Sequence, residues 1–280
     1  MTGGMDSRLQ KEGDTAMKPM DYELLARYGQ ITFTHPEQAV YSVPASDLSN
    51  PGAALLLANR FLDHMDCDDI VTAGVYCAGY MRGLVMAQHY MVSVMNRTVN
   101  LAPSNLVIHV KYADGYPSLQ FQPLDDTESG PVNPELRDSW ADAQFNFFFS
   151  DTIRPILENL AEAVSAPIGQ LWGQMPLGLL YFRDQVLPML EMEGERDRLE
   201  RDYGYVTHTM EGALFGRTRN PFSIRFVELD NPHNPGTTMY MKPSCCQYYK
   251  TGEGEYCYSC PKLTRAQREQ RRQEIMLQSG

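Results

Sequence analysis

The sequence lacks the short motifs that hold nucleotides or build a nucleophile. No G-x-G-x-x-G follows a predicted strand and no G-x4-G-K-[ST] occurs, so bound NAD(P), FAD or ATP has no support. No G-x-S-x-G marks a nucleophile elbow. The six histidines (His35, His64, His89, His109, His208, His233) form neither H-x3-H nor H-E-x2-H, which excludes the usual helical zinc pairs. Of these only His208 and His233 are candidates for a pocket near the C-terminal cysteines, with a structural or surface role as the default. A basic n-region followed by an apolar h-region is also missing, so no secretory signal is expected.

Positive charge is in short supply. The chain has 24 Lys and Arg against 35 Asp and Glu, a net charge of −11, which disfavours non-specific nucleic-acid binding. The deficit is uneven. Residues 1–210 carry 14 basic and 28 acidic side chains, whereas residues 211–280 carry ten and seven. A basic end on an acidic body suits an acidic electron donor or an anionic ligand, and equally a solvated basic helix. Long apolar runs are absent too. The best, residues 70–95, holds Arg82 near its centre, at a cost of about 3 kcal/mol in a bilayer. We expect a buried or amphipathic helix there, no membrane span, and a cytoplasmic chain whose thiols stay reduced.

Cysteine is sparse, but four of the six fall within sixteen residues as C-C-x10-C-x2-C: Cys245, Cys246, Cys257 and Cys260. The C-x2-C half lets two thiolates converge on one metal ion. Adjacent residues in extended chain point to opposite faces, so Cys245 and Cys246 share a site only if the backbone bends between them. A two-iron cluster is a broader target for such a pair than a single zinc ion. A structural four-cysteine zinc site and disulfides remain open on spacing alone, although 280 residues build a core without staples. Cys67 and Cys77 read as core thiols on helices. The Asp66-Cys67-Asp68-Asp69 run reads as a solvated helix end rather than a cation site.

The motif, the tyrosines after its first pair (Cys246-Gln247-Tyr248-Tyr249) and Cys260-Pro261 resemble the FhuF-type ferric siderophore reductases. The specific resemblance covers about 20 residues. Leu171-Trp172-Gly173 and Asn220-Pro221-Phe222 fit it more diffusely. One departure is Lys242, where arginine is expected three residues before the first cysteine; lysine keeps the charge and loses the forked donor. The resemblance implies a [2Fe–2S] cluster held by Cys245, Cys246, Cys257 and Cys260. It also implies a cytosolic oxidoreductase passing one electron to siderophore-bound Fe(III). The substrate would be a hydroxamate or carboxylate ferric siderophore. Without a nicotinamide or flavin motif, the electron must come from an external donor such as a ferredoxin or flavoprotein reductase. The alternative is a non-catalytic binding or assembly protein with a structural zinc. Such chains also look similar to the C-terminal part of siderophore synthetases, although the missing nucleotide motif argues against a ligase. Lys242 and Lys250 flank the first pair and are candidates, with Tyr248, Tyr249, Arg217 and Arg219, to contact substrate. Arg225 is a weaker candidate. Tyr256 and Tyr258 join Tyr248 and Tyr249 in shielding the cysteines or packing the hook on the body.

Periodicity and breakers predict a helix-rich α+β single domain with a small antiparallel sheet and an appended C-terminal cysteine hook. The expected division is a disordered leader (1–20), a siderophore-binding body (21–240), the hook (241–263) and a basic helix (264–280). Helices are expected over 22–28, 53–65 behind the Asn50-Pro51 cap, 70–95 (one largely buried helix, or a pair broken near Gly79 or Gly83), 134–149, 152–164, 167–180, 182–190, 191–202 and 264–276. Residues 31–33 and 39–43 are expected as short strands or extended loop, and 223–229 and 238–241 as extended segments feeding the hook. The clearest hairpin pairs 106–112 with 119–124 across Asp114-Gly115.

Overall fold

The structure, a computed structural model, describes residues 20–252 and 254–278. The expected leader lies outside these residues except for Met20. The described chain is α+β and helix-rich, with three small antiparallel sheets.

Helix α1 (Tyr22–Gly29) is capped by Asp21, whose carboxylate accepts from Leu24 N at 2.9 Å. The segment 31–33 forms one isolated bridge, Ile31 to Phe121, rather than a strand. Strand β1 (Ala39–Pro44) leads through a 3-10 turn to α2 (Pro51–Leu62), which starts at the predicted cap with Asn50 Oδ1 accepting from Gly52 N. Helix α3 (Ile70–His89) runs unbroken past Gly79 and Gly83 into a π-helical turn over Tyr90–Val94. Gly83 serves a crossing, not a break: a Cβ there would stand 2.8 Å from Gly29 O of α1.

Helix α3 is the axis of the fold, with α1, α2, α6 and α7 and a sheet edge packed around it. That setting explains its apolar residues on every side, since a helix apolar all round is a buried one. By length and composition the segment Ile70–Val94 could cross a membrane, yet 61 % of its most apolar 18-residue window is buried inside the fold.

After the short strand β2 (Thr98–Val99) comes the predicted hairpin, β3 (Leu106–Ala113) and β4 (Tyr116–Pro123). Asp114 and Gly115, both at positive φ, make its turn, and β1 completes a sheet ordered β1-β3-β4. Leu119 and Phe121 of β4 alternate inward, as a half-buried strand requires. The polar stretch after it contributes β5 (Glu128–Ser129), paired with β2.

Helix α4 (Arg137–Phe147) continues through a π-helical turn, Phe148–Ile153, into α5 (Arg154–Ala163). Pro155 explains the wide turn: it has no N–H for the carbonyl of residue 151, and its ring would press on that carbonyl. The stretch expected as one helix over 167–180 is split into α6 (Ile168–Trp172) and α7 (Pro176–Val186), because Pro176 starts a new helix. Likewise 182–190 is not a separate helix, since Pro188 turns the end of α7 into a 3-10 turn. Helix α8 (Glu193–Gly204) ends in a third π-helical turn. The ribbon of β6 (Glu228–Asp230) and β7 (Thr238–Tyr240) feeds the cysteine segment, and α9 (Arg265–Gln278) follows it. Strand β6 is far shorter than 223–229, of which only the last two residues pair.

Candidate metal centre

Two backbone bonds set the entry of the hook. Met241 N donates to Val227 O at 2.9 Å, and Lys242 N donates to Ser259 O at 2.9 Å. The second bond lays the strand that carries Cys245-Cys246 against the turn that carries Cys257 and Cys260. That turn is tight, with Cys260 N donating to Cys257 O at 2.9 Å. Arg268 of α9 holds it from outside, donating to Tyr258 O, to Cys260 O at 3.0 Å and to Leu263 O at 3.3 Å.

The adjacent cysteines do not bend towards a common partner. Cys245 faces Cys260, Sγ to Sγ 3.7 Å, and Cys246 hydrogen-bonds Cys257. The alternation of extended chain is therefore used: each neighbour meets one member of the C-x2-C pair. All six cysteines are free thiols. Among the described residues no group of three or more His, Cys, Asp or Glu side chains that could hold a metal ion is found; the thiol contacts seen are Cys245 with Cys260 and Cys246 with Cys257.

Donors surround the sulfurs. Gln247 N lies 3.4 Å from Cys245 Sγ, Tyr248 N donates to Cys246, and Lys242 Nζ lies 3.3 Å from Cys246 Sγ. The Cys257 thiol gives its proton to Cys246 and, with Lys242 opposing the effect of burial, lowers the Cys246 pKa to about 5. Donating to Cys246 raises that of Cys257. Burial raises Cys245. Burial works to lower Lys242, but the charges of Cys246 and Cys257 outweigh it, so the ammonium is held above its usual range.

The hook is fastened to the body on two sides. Towards α6, Gln170 Nε2 and Gln174 Nε2 donate to Cys245 O at 3.2 and 3.3 Å, and Ser244 Oγ donates to Gln170 O. Gly173 permits this approach, since a Cβ there would lie 2.5 Å from Ser244 Cβ. Towards α3, Thr72 Oγ1 lies 2.7 Å from Gln247 Oε1, Lys250 pairs with Asp69, and Gly252 N donates to Asp66 O at 2.6 Å. Burial opposes it, yet Lys250, Thr72 and Val71 N hold the Asp69 carboxyl below its usual range. The acidic run before α3 thus caps a helix and anchors the hook. Cys67 sits half-buried in that loop rather than on a helix, while Cys77 is a buried α3 thiol as expected.

Of the residues expected to contact substrate, Lys242 and Tyr248 line a 260 Å³ cavity beside Cys246 and Cys257. Lys250 is spent on Asp69. Tyr249 stacks on Tyr256, centroids 4.3 Å apart, and its hydroxyl takes a bond from Lys262 at 3.0 Å. Tyr258 is buried in the hook. Arg217, Arg219 and Arg225 are exposed and do not line this cavity; Arg217 reaches over Gly169 of α6 instead. His208 is bonded to Thr207 at 2.7 Å and His233 is exposed beyond β6, so neither lines it. Sequence reasoning missed Thr72 of α3, Gln170 of α6, Gln174 in the turn between α6 and α7, and Arg268 of α9, which act from other elements and carry no local signal. A larger cavity of 520 Å³ lies elsewhere, but its arginines are committed: Arg97 to Glu128, Arg137 to Asp202, Arg198 to Ser93 O and Val94 O.

The donor set is four sulfurs with N–H and ammonium groups aimed at them, which suits an electron-rich thiolate centre. No protein-family model and no curated protein matches the chain.

Proposed function

We propose that the chain is a cytosolic ferric-siderophore reductase whose [2Fe–2S] centre is held by Cys245, Cys246, Cys257 and Cys260. The observation that carries this reading is the division of the thiols into Cys245 with Cys260 and Cys246 with Cys257. A single tetrahedral zinc needs all four sulfurs around one point, every pair about 3.8 Å apart. Two irons need only two sulfurs each, and a 3.7 Å pair has that spacing. The pairing therefore favours two irons over the structural zinc of a non-catalytic binding protein.

When bound, the cluster supplies a one-electron relay between an external donor and Fe(III). The chain's own residues hold the thiolates and offset their charge. Gln247 N, Tyr248 N and Lys242 Nζ point at sulfurs, and such contacts make added negative charge less costly. Gln170, Gln174 and Arg268 fix the backbone carbonyls of Cys245 and Cys260, so the ligands are positioned by the body and by α9. Oxygen-rich chelators hold Fe(III) tightly and Fe(II) weakly, so one electron suffices for release.

The test is an anaerobic visible spectrum before and after dithionite, then after a ferric hydroxamate or carboxylate chelate. Red-brown absorption that bleaches and returns with the chelate supports the reading. A colourless protein with one zinc per chain refutes it.

A further inference from the structure

The thiols of Cys246 and Cys257 are not walled in. They open on the cavity between α3 and the hook, and Gly79 of α3 is part of its lining. A Cβ added at Gly79 would meet nothing within 4 Å, whereas at Gly83, one turn along, it would meet Gly29 O. Glycine weakens a helix interior relative to alanine. At Gly83 a helix crossing accounts for it; at Gly79 no neighbour in the chain does. What the missing side chain leaves is room beside the thiols.

Besides the thiols, the ionisable groups at that room's wall that carry charge are Arg82 and Lys242, and among the described residues no Asp or Glu lines it, in a chain of net charge −11. Lys242 faces the Cys246 sulfur, which leaves Arg82 as the cation turned to the open side. Arg82 is exposed, its stem lying over Gly178 of α7. The other walls include Tyr76, Tyr80 and Tyr248. Tyr80 spends its hydroxyl on Pro117 O at 3.1 Å, so it offers the cavity mainly ring surface. At 260 Å³ the space is smaller than the about 300–1,000 Å³ of sites that engulf a drug-sized ligand. It holds one lobe of a chelate and leaves the rest outside.

We infer that this cavity docks a net-anionic, carboxylate-bearing ferric chelate, with one lobe over Gly79, its oxygens towards Arg82, and its iron beside the Cys246–Cys257 pair. The inference rests on the reading of the four thiols as a redox centre. Arg82, the lining cation that does not face a thiol, favours an anionic chelate over a neutral one, which narrows the substrate class. In the step itself the chelate's Fe(III) would gain one electron and become Fe(II), and a centre held by the four thiolates would be oxidised by one. A one-electron donor protein then restores it, and no bond to the protein forms.

The test uses the full chain, Gly79→Leu and Arg82→Glu, with two probes. One is the gallium(III) chelate of a citrate-derived dihydroxamate, anionic and redox-inert; the other is the gallium(III) chelate of a neutral trihydroxamate. Binding is read by calorimetry, and reoxidation of the dithionite-reduced protein is read with the matching ferric chelates and with dioxygen, a small neutral oxidant. The wild type should bind the anionic probe at least tenfold tighter than the neutral one. Both variants should keep the visible spectrum and the rate with dioxygen, lose at least tenfold in anionic-probe affinity, and be reoxidised at least tenfold more slowly by its ferric form. Arg82→Glu, at an exposed position, gives the decisive reading if the leucine disturbs the helix. Coloured variants that bind and react like the parent overturn the docking site alone, as does a wild type that prefers the neutral probe. A colourless wild type overturns the redox reading and the electron transfer with it.

Discussion

Lys242 Nζ lies 3.3 Å from Cys246 Sγ, and it is the one basic side chain lining the thiol cavity from within the hook. On the proposed reading Cys246 is a cluster ligand, and a cation beside it would favour the reduced state, which carries one more negative charge. Lys242→Met should therefore lower the reduction potential of the loaded protein, on the order of 50 mV for a one-electron centre. Lys242→Arg, which keeps the charge, should recover most of it. A redox titration followed by electron paramagnetic resonance reads the shift, and an unchanged potential in Lys242→Met would show that the ammonium does not act on the centre.

The bond from Thr72 to Gln247 ties the hook to α3, with both residues buried. Thr72→Val keeps the shape and removes the hydroxyl, leaving the Gln247 amide short of a partner. The expected loss is about 1–3 kcal/mol in urea unfolding. Limited proteolysis should cut first in the hook. Cutting elsewhere with unaltered stability would mean that the hook is held by its other contacts.

Asp202 is fully buried and takes two bonds from Arg137, Nη1 to Oδ1 at 2.8 Å. Burial opposes it, but Arg137 holds its carboxyl below the usual range. Arg137→Met should cost roughly 3–5 kcal/mol, because it removes both of these bonds and leaves Arg201 Nη1, 3.1 Å from Oδ1, to offset that buried charge. The double variant Arg137→Met/Asp202→Leu should be closer to the parent than the single one. Denaturant unfolding of the set decides this.

His89 is buried against Phe145, ring centroids 4.6 Å apart, and burial lowers its pKa to about 4. The unfolded chain protonates it near pH 6.5 while the folded chain keeps it neutral. The unfolded state thus binds the extra proton, and stability falls as pH drops from about 6.5 to 4, by about 3 kcal/mol. His109, which burial also holds below its usual range, adds to the slope. His89→Leu should flatten part of it in unfolding measured across that window.

The sequence made the hairpin legible because its two signals are local: alternation in 106–112 and an Asp-Gly turn. The cap at Asn50, the core character of α3 and the four cysteines were legible for the same reason. Helix ends were less so. Pro155, Pro176 and Pro188 each redirect a helix, and whether a proline gives a wide turn, a restart or a 3-10 end depends on what packs there. The division of thiols into two pairs was hidden, because spacing shows which cysteines are near in sequence and not which ones face each other. Arg82 entered only as an argument against a membrane span, and Gly79 only as a place to break a helix. Their juxtaposition with Cys246 requires two segments far apart in sequence.

That separation orders events during synthesis. Thr72 and Gln247 are 175 residues apart, and at about 5–20 residues per second the second follows the first by roughly 9–35 s. The partners of the hook on α3 and α6 precede every one of its four cysteines in the chain. The surface that receives the thiols is thus made before them, while Arg268 of α9, which holds the Cys257–Cys260 turn, is made after them, so the hook can close fully only once α9 has followed it.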